Sequence, residues 1–461
     1  MKQLFARQPL AWTAREHEGP TLRRSLGWPA LTAIGLGTML GGIFPTIGAG
    51  AHAAGPAVIL AYTLSGLVSL CVALCYAEFA SMVPVAGSAY TYAYATLGEV
   101  VAWVIGWDLI LEYGLSVAPT AASWSDYAQH LLAKVGVVLP AWAQTGAITS
   151  GRVDAIAACT VIGITLLVAV GIRESANFNG TLVVFQVITM AVFLVAVLPA
   201  VHPSNLQPFA PHGWHGIVSG TALVFYAYIG FDTVTVASEE AHDPIKHVPL
   251  GIILALAIGG LLYIAIAYAT VGALAVGKLS DGAAMLDALE AATKNPVIFW
   301  VVALGGIAGN TTVMLTSLLG QVRIFYVMSR DRLLPKSVAT IHPRFRTPVR
   351  MTLITGSIVA ILAATLPLSE LLDFVNIGTL SAFAIVCIGV LVLRITQPDA
   401  QRPFRAPLVW VFTLLGSASC LYLITGLSLP TWIRFFVWFT IGAVIYAVYG
   451  FRKSRLRENM S

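Results

Sequence analysis

The 461 residues are 58% hydrophobic and 10% charged, whereas soluble domains carry about 25% charged residues. That balance excludes a soluble globular domain and predicts an all-α polytopic membrane protein. The formal charge of +5 implies no nucleic-acid partner, because the cations collect in alternate loops between apolar runs.

Twelve runs reach the roughly 20 apolar residues that a span needs. They lie at 28–53, 56–82, 97–132, 153–171, 178–199, 216–240, 249–276, 296–326, 349–366, 370–396, 407–428 and 430–451. Of the 26 Lys and Arg, only Lys134, Arg152, Lys278, Lys294 and Arg434 fall in loops on one side. This bias predicts a protein of the cell (inner) membrane with both termini cytoplasmic. Residues 1–27 form a basic tail. Its charges at Arg15, Glu16, Glu18, Arg23 and Arg24 do not fit a cleavable signal peptide. Residues 452–461 form the other tail.

Span 1 contains Gly35-Leu36-Gly37-Thr38-Met39-Leu40-Gly41-Gly42-Ile43-Phe44-Pro45-Thr46-Ile47-Gly48-Ala49-Gly50. Glycine weakens a helix by about 1 kcal/mol and interior proline by about 3, so a break is predicted near Gly41 to Pro45. Broken backbone at membrane depth must be buried in protein or line a watery cavity. Span 2 ends on Glu78, expected to cap or pair locally at the interface. After Pro84, the run Val85 to Tyr94 reads as an amphipathic helix on the inner face.

Span 3 carries Asp108 and Glu112 on one helical face. A carboxylate in mid-span costs roughly 2.5 kcal/mol or more unless it faces a cavity or a partner. Arg173-Glu174-Ser175 forms a short inner loop after span 4, and span 5 contains Gln186 among apolar residues. Span 6 repeats the anomaly of span 1: Phe225-Tyr226-Ala227-Tyr228-Ile229-Gly230-Phe231-Asp232 interrupts an apolar run that closes on Glu239-Glu240. Two interrupted segments in matching positions of two halves point to a transporter built from repeats, with the site at the interruptions.

Enzyme chemistry is not indicated. The histidines lie in tails, loops or span ends, and Cys71, Cys75, Cys159, Cys387 and Cys420 sit in apolar spans without a ligand pattern, so no metal or cofactor is expected. No phosphate-binding loop suggests ATP drive. A membrane amino-acid sensor that binds without transporting is the alternative reading, and the short tails disfavour it.

The stretches Ala73 to Tyr90, Gly106-Trp107-Asp108-Leu109-Ile110-Leu111-Glu112-Tyr113, Gly171 to Ala176, Phe225 to Asp232, Arg330-Asp331-Arg332-Leu333-Leu334-Pro335 and Val375-Asn376-Ile377-Gly378-Thr379-Leu380 together resemble the amino acid–polyamine–organocation permeases. The likeness is to the bacterial branch related to cationic amino acid transporters, and it runs from about residue 23 to 410. It implies two inverted five-helix repeats of LeuT-like fold, at 28–200 and 214–397, with broken helices 1 and 6, plus two further helices at 407–451.

The resemblance also implies an L-amino acid substrate held at the two breaks and moved by alternating access. Gly41, Gly42 and Ile43 would form the carboxylate side, where a helix N-terminus offers N–H groups, and Thr38 is a further substrate-binding candidate. Tyr226, Ala227 and Ile229 would supply carbonyls, and the Tyr226 ring a gate. Relatives read Gly-Thr-Gly-Ile-Phe at the first break, one residue longer than Gly41-Gly42-Ile43-Phe44 here. Proton-coupled members carry a lysine where this chain has Gln186. The chain is therefore expected either to run uncoupled, as uniporter or exchanger against a counter-substrate, or to use a carboxylate such as Glu112 or Asp232. Ser317 stands where neutral-amino-acid relatives carry methionine, which enlarges the side-chain pocket and fits arginine or lysine. Beyond substrate and lipid bilayer, the sequence identifies no partner, and it leaves a small single-span partner open.

Overall fold

The computed structural model describes residues 26–82, 89–144, 148–171, 176–236, 241–345 and 347–454. The N-terminal tail to residue 25, the Arg173-Glu174-Ser175 loop, Glu239-Glu240 and the C-terminal residues from 455 lie outside that range, so the readings made on them do too.

Among the described residues the regular elements are helices joined by loops. Eight segments are long and apolar enough to cross a membrane by length and composition: Trp28–Met82, Glu99–Lys134, Thr181–Ala200, Gly213–Thr235, Pro244–Ala273, Pro296–Arg330, Leu368–Thr396 and Leu429–Lys453. Three shorter apolar helices stand between them. The elements used below are α1 (Trp28–Met39), α2 (Ile43–Ala54), α3 (Val58–Met82), α4 (Ala89–Thr96), α5 (Glu99–Leu115), α6 (Val117–Lys134), α7 (Ala155–Val170), α8 (Ala176–Val197), α9 (Gly213–Val224), α10 (Thr233–Val236), α11 (Pro244–Ala273), α12 (Ala284–Ala292), α13 (Pro296–Arg330), α14 (Val349–Thr365), α15 (Leu368–Thr396), α16 (Val409–Ile424) and α17 (Leu429–Ile445).

Local chemistry sets several of these boundaries. Asn295 caps α13 by accepting from the N–H groups of Val297 and Ile298, with Pro296 in the first position, where its missing donor costs nothing. Asp154 caps α7 through Ala157 N–H. Span 3 is two helices, α5 and α6, because Pro119 cannot continue the ladder begun in α5.

The short α4 differs from the expected surface helix. Residues 85–88 of that expected helix lie outside the described range, and within α4 Tyr90, Tyr92, Ala93 and Tyr94 are all buried while Thr91 is half-buried. Tyr90 donates to Asp331 at 2.7 Å, and Tyr94 to Glu99 at 3.3 Å.

Glu78 pairs as expected, but with partners far along the chain. Arg394 grips it with two hydrogen bonds of 2.8 and 2.7 Å, Ala406 N–H donates at 2.9 Å, and Arg402 Nε lies at 3.4 Å. Arg402 also donates to four carbonyls at the end of α15, from Leu393 to Ala400. A buried carboxylate held this way fastens α3 to α15; deprived of its partners it would be costly.

α11 packs against α1 and α3, α9 against α2, and α13 against α6 and α8. These contacts bring the two interrupted helices together in the middle of the molecule. Outward faces carry large apolar residues such as Val195, Leu261, Ile433 and Phe436, as a lipid-facing surface requires.

Candidate functional site

The first interruption is milder and slightly earlier than the sequence suggests. α1 ends at Met39, a 3-10 turn covers Leu40–Gly42, and α2 resumes at Ile43. Pro45 falls in the first turn of α2, where a proline is tolerated, so it permits a helix start rather than breaking one.

The second interruption is deeper. After α9, residues Phe225–Tyr228 form a 3-10 turn, Ile229 is extended, and Gly230 has φ +113°. That conformation favours glycine, and the chain then turns into the short α10.

The two interruptions touch backbone to backbone. A Cβ on Gly42 would stand 2.7 Å from the Ala227 Cα. Only glycine permits this approach.

Between them lies a cavity with about 50 Å³ of water-accessible room. A water needs roughly 10–15 Å³ by this measure, so the space holds about four. Its lining is Thr38, Gly42, Glu112, Tyr113, Ser116, Tyr226, Ile229, Gly230, Asp232, Thr233, Val313, Thr316 and Ser317. Seven residues anticipated from sequence therefore meet in one place: Thr38, Gly42, Glu112, Tyr226, Ile229, Asp232 and Ser317. Gly41 and Ile43 are buried in the first interruption and do not line the cavity.

The hydrogen bonds answer the question of free carbonyls differently from the expectation. The Ala227 carbonyl accepts from Tyr263 at 2.9 Å, and the Met39 carbonyl accepts from the same hydroxyl at 2.6 Å. The Gly230 carbonyl lies 2.8 Å from the Thr38 hydroxyl and accepts from Thr233 at 2.6 Å. The carbonyls that end α9, at Ala222 and Leu223, accept from Asn376 at 2.7 and 3.1 Å. Gly42 O accepts from Thr46 at 2.7 Å. Side chains thus occupy the carbonyls of Met39, Gly42, Ala222, Leu223, Ala227 and Gly230, and Tyr226 O accepts from Ile229 N–H. Tyr226 is held by its hydroxyl, 2.8 Å from Ser116 O and 2.7 Å from Thr120 Oγ1.

The carboxylates are less provided for. Asp232 accepts from Tyr113 at 3.3 Å. Glu112 is buried, and neither of its oxygens has a hydrogen-bond partner among the described residues. Thr379 stands beside it but turns its hydroxyl to the Val375 carbonyl. Asp108, one turn away, is also buried, and its oxygens have no hydrogen-bond partner in good geometry among the described residues; it packs against Gly378 and does not line the cavity.

Gln186 lies apart from the cavity. It is buried behind the first interruption near Gly309, and its amide nitrogen and oxygen have no partner among the described residues.

Tyr263 and Asn376 hold carbonyls of the two interruptions, a role that sequence reasoning did not give them. Each is a polar group set deep in an apolar helix, and Asn376 also lies in one of the stretches that carry the family resemblance. No group of three or more His, Cys, Asp or Glu among the described residues is arranged to hold a metal ion.

Comparison with known proteins agrees with this architecture. Residues 26–451 match the family model described as amino acid permease. The methylthioribose transporter of Bacillus subtilis is 40% identical over 99% of this chain and 100% of its own length. The branched-chain amino acid permease BcaP of the same organism is 42% identical over 95% of both chains. Human cationic amino acid transporter 4 is 35% identical over 83% of this chain and 62% of its own.

Proposed function

The chain belongs to the amino acid permease family, and from that premise we propose that it moves L-amino acids across the cell membrane by alternating access, with substrate held in the cavity between the two interrupted helices. It is a transporter and not an enzyme. The observation that carries the proposal is the pairing of opposite demands in one small space. The N-terminus of α2, reached at Gly42, offers N–H groups and the positive end of a helix to a carboxylate. Glu112 offers two buried oxygens that lack a donor, and Asp232 adds a second carboxylate. A zwitterion satisfies both ends. With the Ala227 and Gly230 carbonyls held by hydroxyls, the two carboxylates that line the cavity, Glu112 and Asp232, take the cationic end.

The same pair suits a guanidinium or ammonium side chain, and Ser317 leaves room that methionine would fill. The reading therefore includes arginine and lysine. The fold we propose has two five-helix repeats of opposite orientation, 28–200 and 214–397, followed by the helices of 407–451, with both termini cytoplasmic. The meeting of two interrupted helices at the centre supports the repeats, and the one-sided placing of Lys and Arg supports the orientation. Gln186 cannot titrate, so we propose uniport or exchange without lysine-based proton coupling.

Methylthioribose is the second reading. The full-length likeness to its transporter favours it, and the lining hydroxyls of Thr38, Ser116, Thr316 and Ser317 could serve a sugar. Uptake of labelled alanine, leucine and arginine into proteoliposomes, with unlabelled methylthioribose as competitor and with counter-substrate inside, tests all of this. Saturable amino acid uptake accelerated by internal amino acid supports exchange. Collapse of uptake with a protonophore rules out the uncoupled mode. Uptake of methylthioribose alone rules out the amino acid reading.

A further inference from the structure

Tyr263 lies near the middle of α11, fully buried, and its hydroxyl is 2.6 Å from Met39 O and 2.9 Å from Ala227 O. Met39 is the last residue of α1, and Ala227 lies in the 3-10 turn after α9. A phenol has one proton to donate, while both neighbours are carbonyls that can only accept. One donor thus serves both interruptions at once, from a third helix that belongs to neither. The ring is fixed edge-on to Tyr228 at 5.2 Å and tilted to Tyr62 at 5.8 Å, so the hydroxyl cannot swing away without moving packed aromatics.

We propose that Tyr263 is a positioning residue that pins the two interrupted helices to each other through its shared proton. The backbone at Gly42 and at Tyr226 to Ile229 then shifts as one unit around the cavity. The inference rests on the cavity being the substrate site only for its kinetic consequence; the pin itself is a property of the empty protein. If the proton is removed and the ring kept, each interruption loses its tie to the other and the cavity loses its fixed width. Substrate must then re-form that geometry on binding.

Tyr263→Phe isolates the hydroxyl. Tyr90→Phe is the control: it removes an equally buried phenol hydrogen bond, to Asp331, away from both interruptions. Two measurements separate the pin from the choice of substrate. In hydrogen exchange of the empty protein, the amides around residues 40–44 and 225–230 should speed up together in Tyr263→Phe by about tenfold, the worth of one net hydrogen bond, and remain unchanged in Tyr90→Phe. In proteoliposomes, Tyr263→Phe should raise KM about tenfold with kcat within about twofold, and Tyr90→Phe should leave KM alone. Exchange that speeds up at one interruption only, or equally in both variants, overturns the pin. Coupled exchange in Tyr263→Phe, in a protein whose wild type takes up no amino acid, keeps the pin and removes the substrate reading. An unchanged KM despite coupled exchange overturns the positioning role.

Discussion

The hydroxyl of Thr38 lies 2.8 Å from the carbonyl of Gly230, and this contact joins the last turn of α1 to the sharpest point of the second interruption. Thr233 closes the triangle at 3.0 Å from Thr38 and 2.6 Å from Gly230 O. Thr38→Val keeps the shape and deletes the hydroxyl. A net hydrogen bond is worth about 1 kcal/mol, so amino acid uptake should fall by about fivefold to tenfold. Thr38→Ser should restore most of it. Initial rates in proteoliposomes check this; equal loss in both variants would assign the effect to packing.

Glu112 lines the cavity, and its two buried oxygens have no hydrogen-bond partner among the described residues. Glu112→Gln keeps the volume and removes the charge that a cation would meet. Competition by arginine or lysine against a labelled substrate should weaken by at least about tenfold, the order of one charged hydrogen bond, and competition by alanine should weaken less. Equal weakening for all three would place the α-ammonium alone on Glu112.

Ser317 lines the same cavity as Glu112 and Asp232, with about 50 Å³ open. Ser317→Met takes up room that an arginine or lysine side chain would need, and overpacking is not free. Uptake of arginine and lysine should fall several-fold more than uptake of alanine. A uniform effect on all three would show that Ser317 does not border the side-chain end of the substrate.

Asp154 caps α7, accepting from Ser125 at 2.6 Å and Ala157 N–H at 2.9 Å, while its second oxygen has no partner among the described residues. Asp154→Ala removes the cap and leaves the Ala157 N–H and the Ser125 hydroxyl without this acceptor, at a cost of about 1 kcal/mol. Its melting temperature in detergent should fall by about 2–4 °C, and Asp154→Asn, which keeps a capping oxygen, should restore most of the loss. An unchanged melting temperature in Asp154→Ala would refute the assignment.

Much of the architecture was legible in the sequence because lipid imposes length and hydropathy on each span. The interruption at Ile229 to Asp232 was legible too, since Gly230 and Asp232 are expensive where they stand. The place of the first interruption was less so. Pro45 looks like a breaker in a string of letters, yet as the third residue of α2 it has no α-helical acceptor to lose. Ala227 was assigned a carbonyl for substrate because its partner, Tyr263, is 36 residues on and belongs to a helix with no other sign of function. Asn376 is hidden for the same reason, 154 residues from the carbonyl it serves. Spacing along the chain reports which residues share a helix face, but not which helices meet.

The clasp at Glu78 has a consequence for how the protein is made. Arg394 follows Glu78 by 316 residues, and Arg402 and Ala406 come later still. During synthesis the carboxylate leaves the ribosome and reaches its membrane end long before either guanidinium exists. For most of translation that end of α3 must stay in contact with water or headgroups, and the bundle can close there only when the tenth expected span and the linker behind it arrive. Chains truncated before residue 394 would carry an acid with no mate, marking them as unfinished to whatever inspects new membrane proteins.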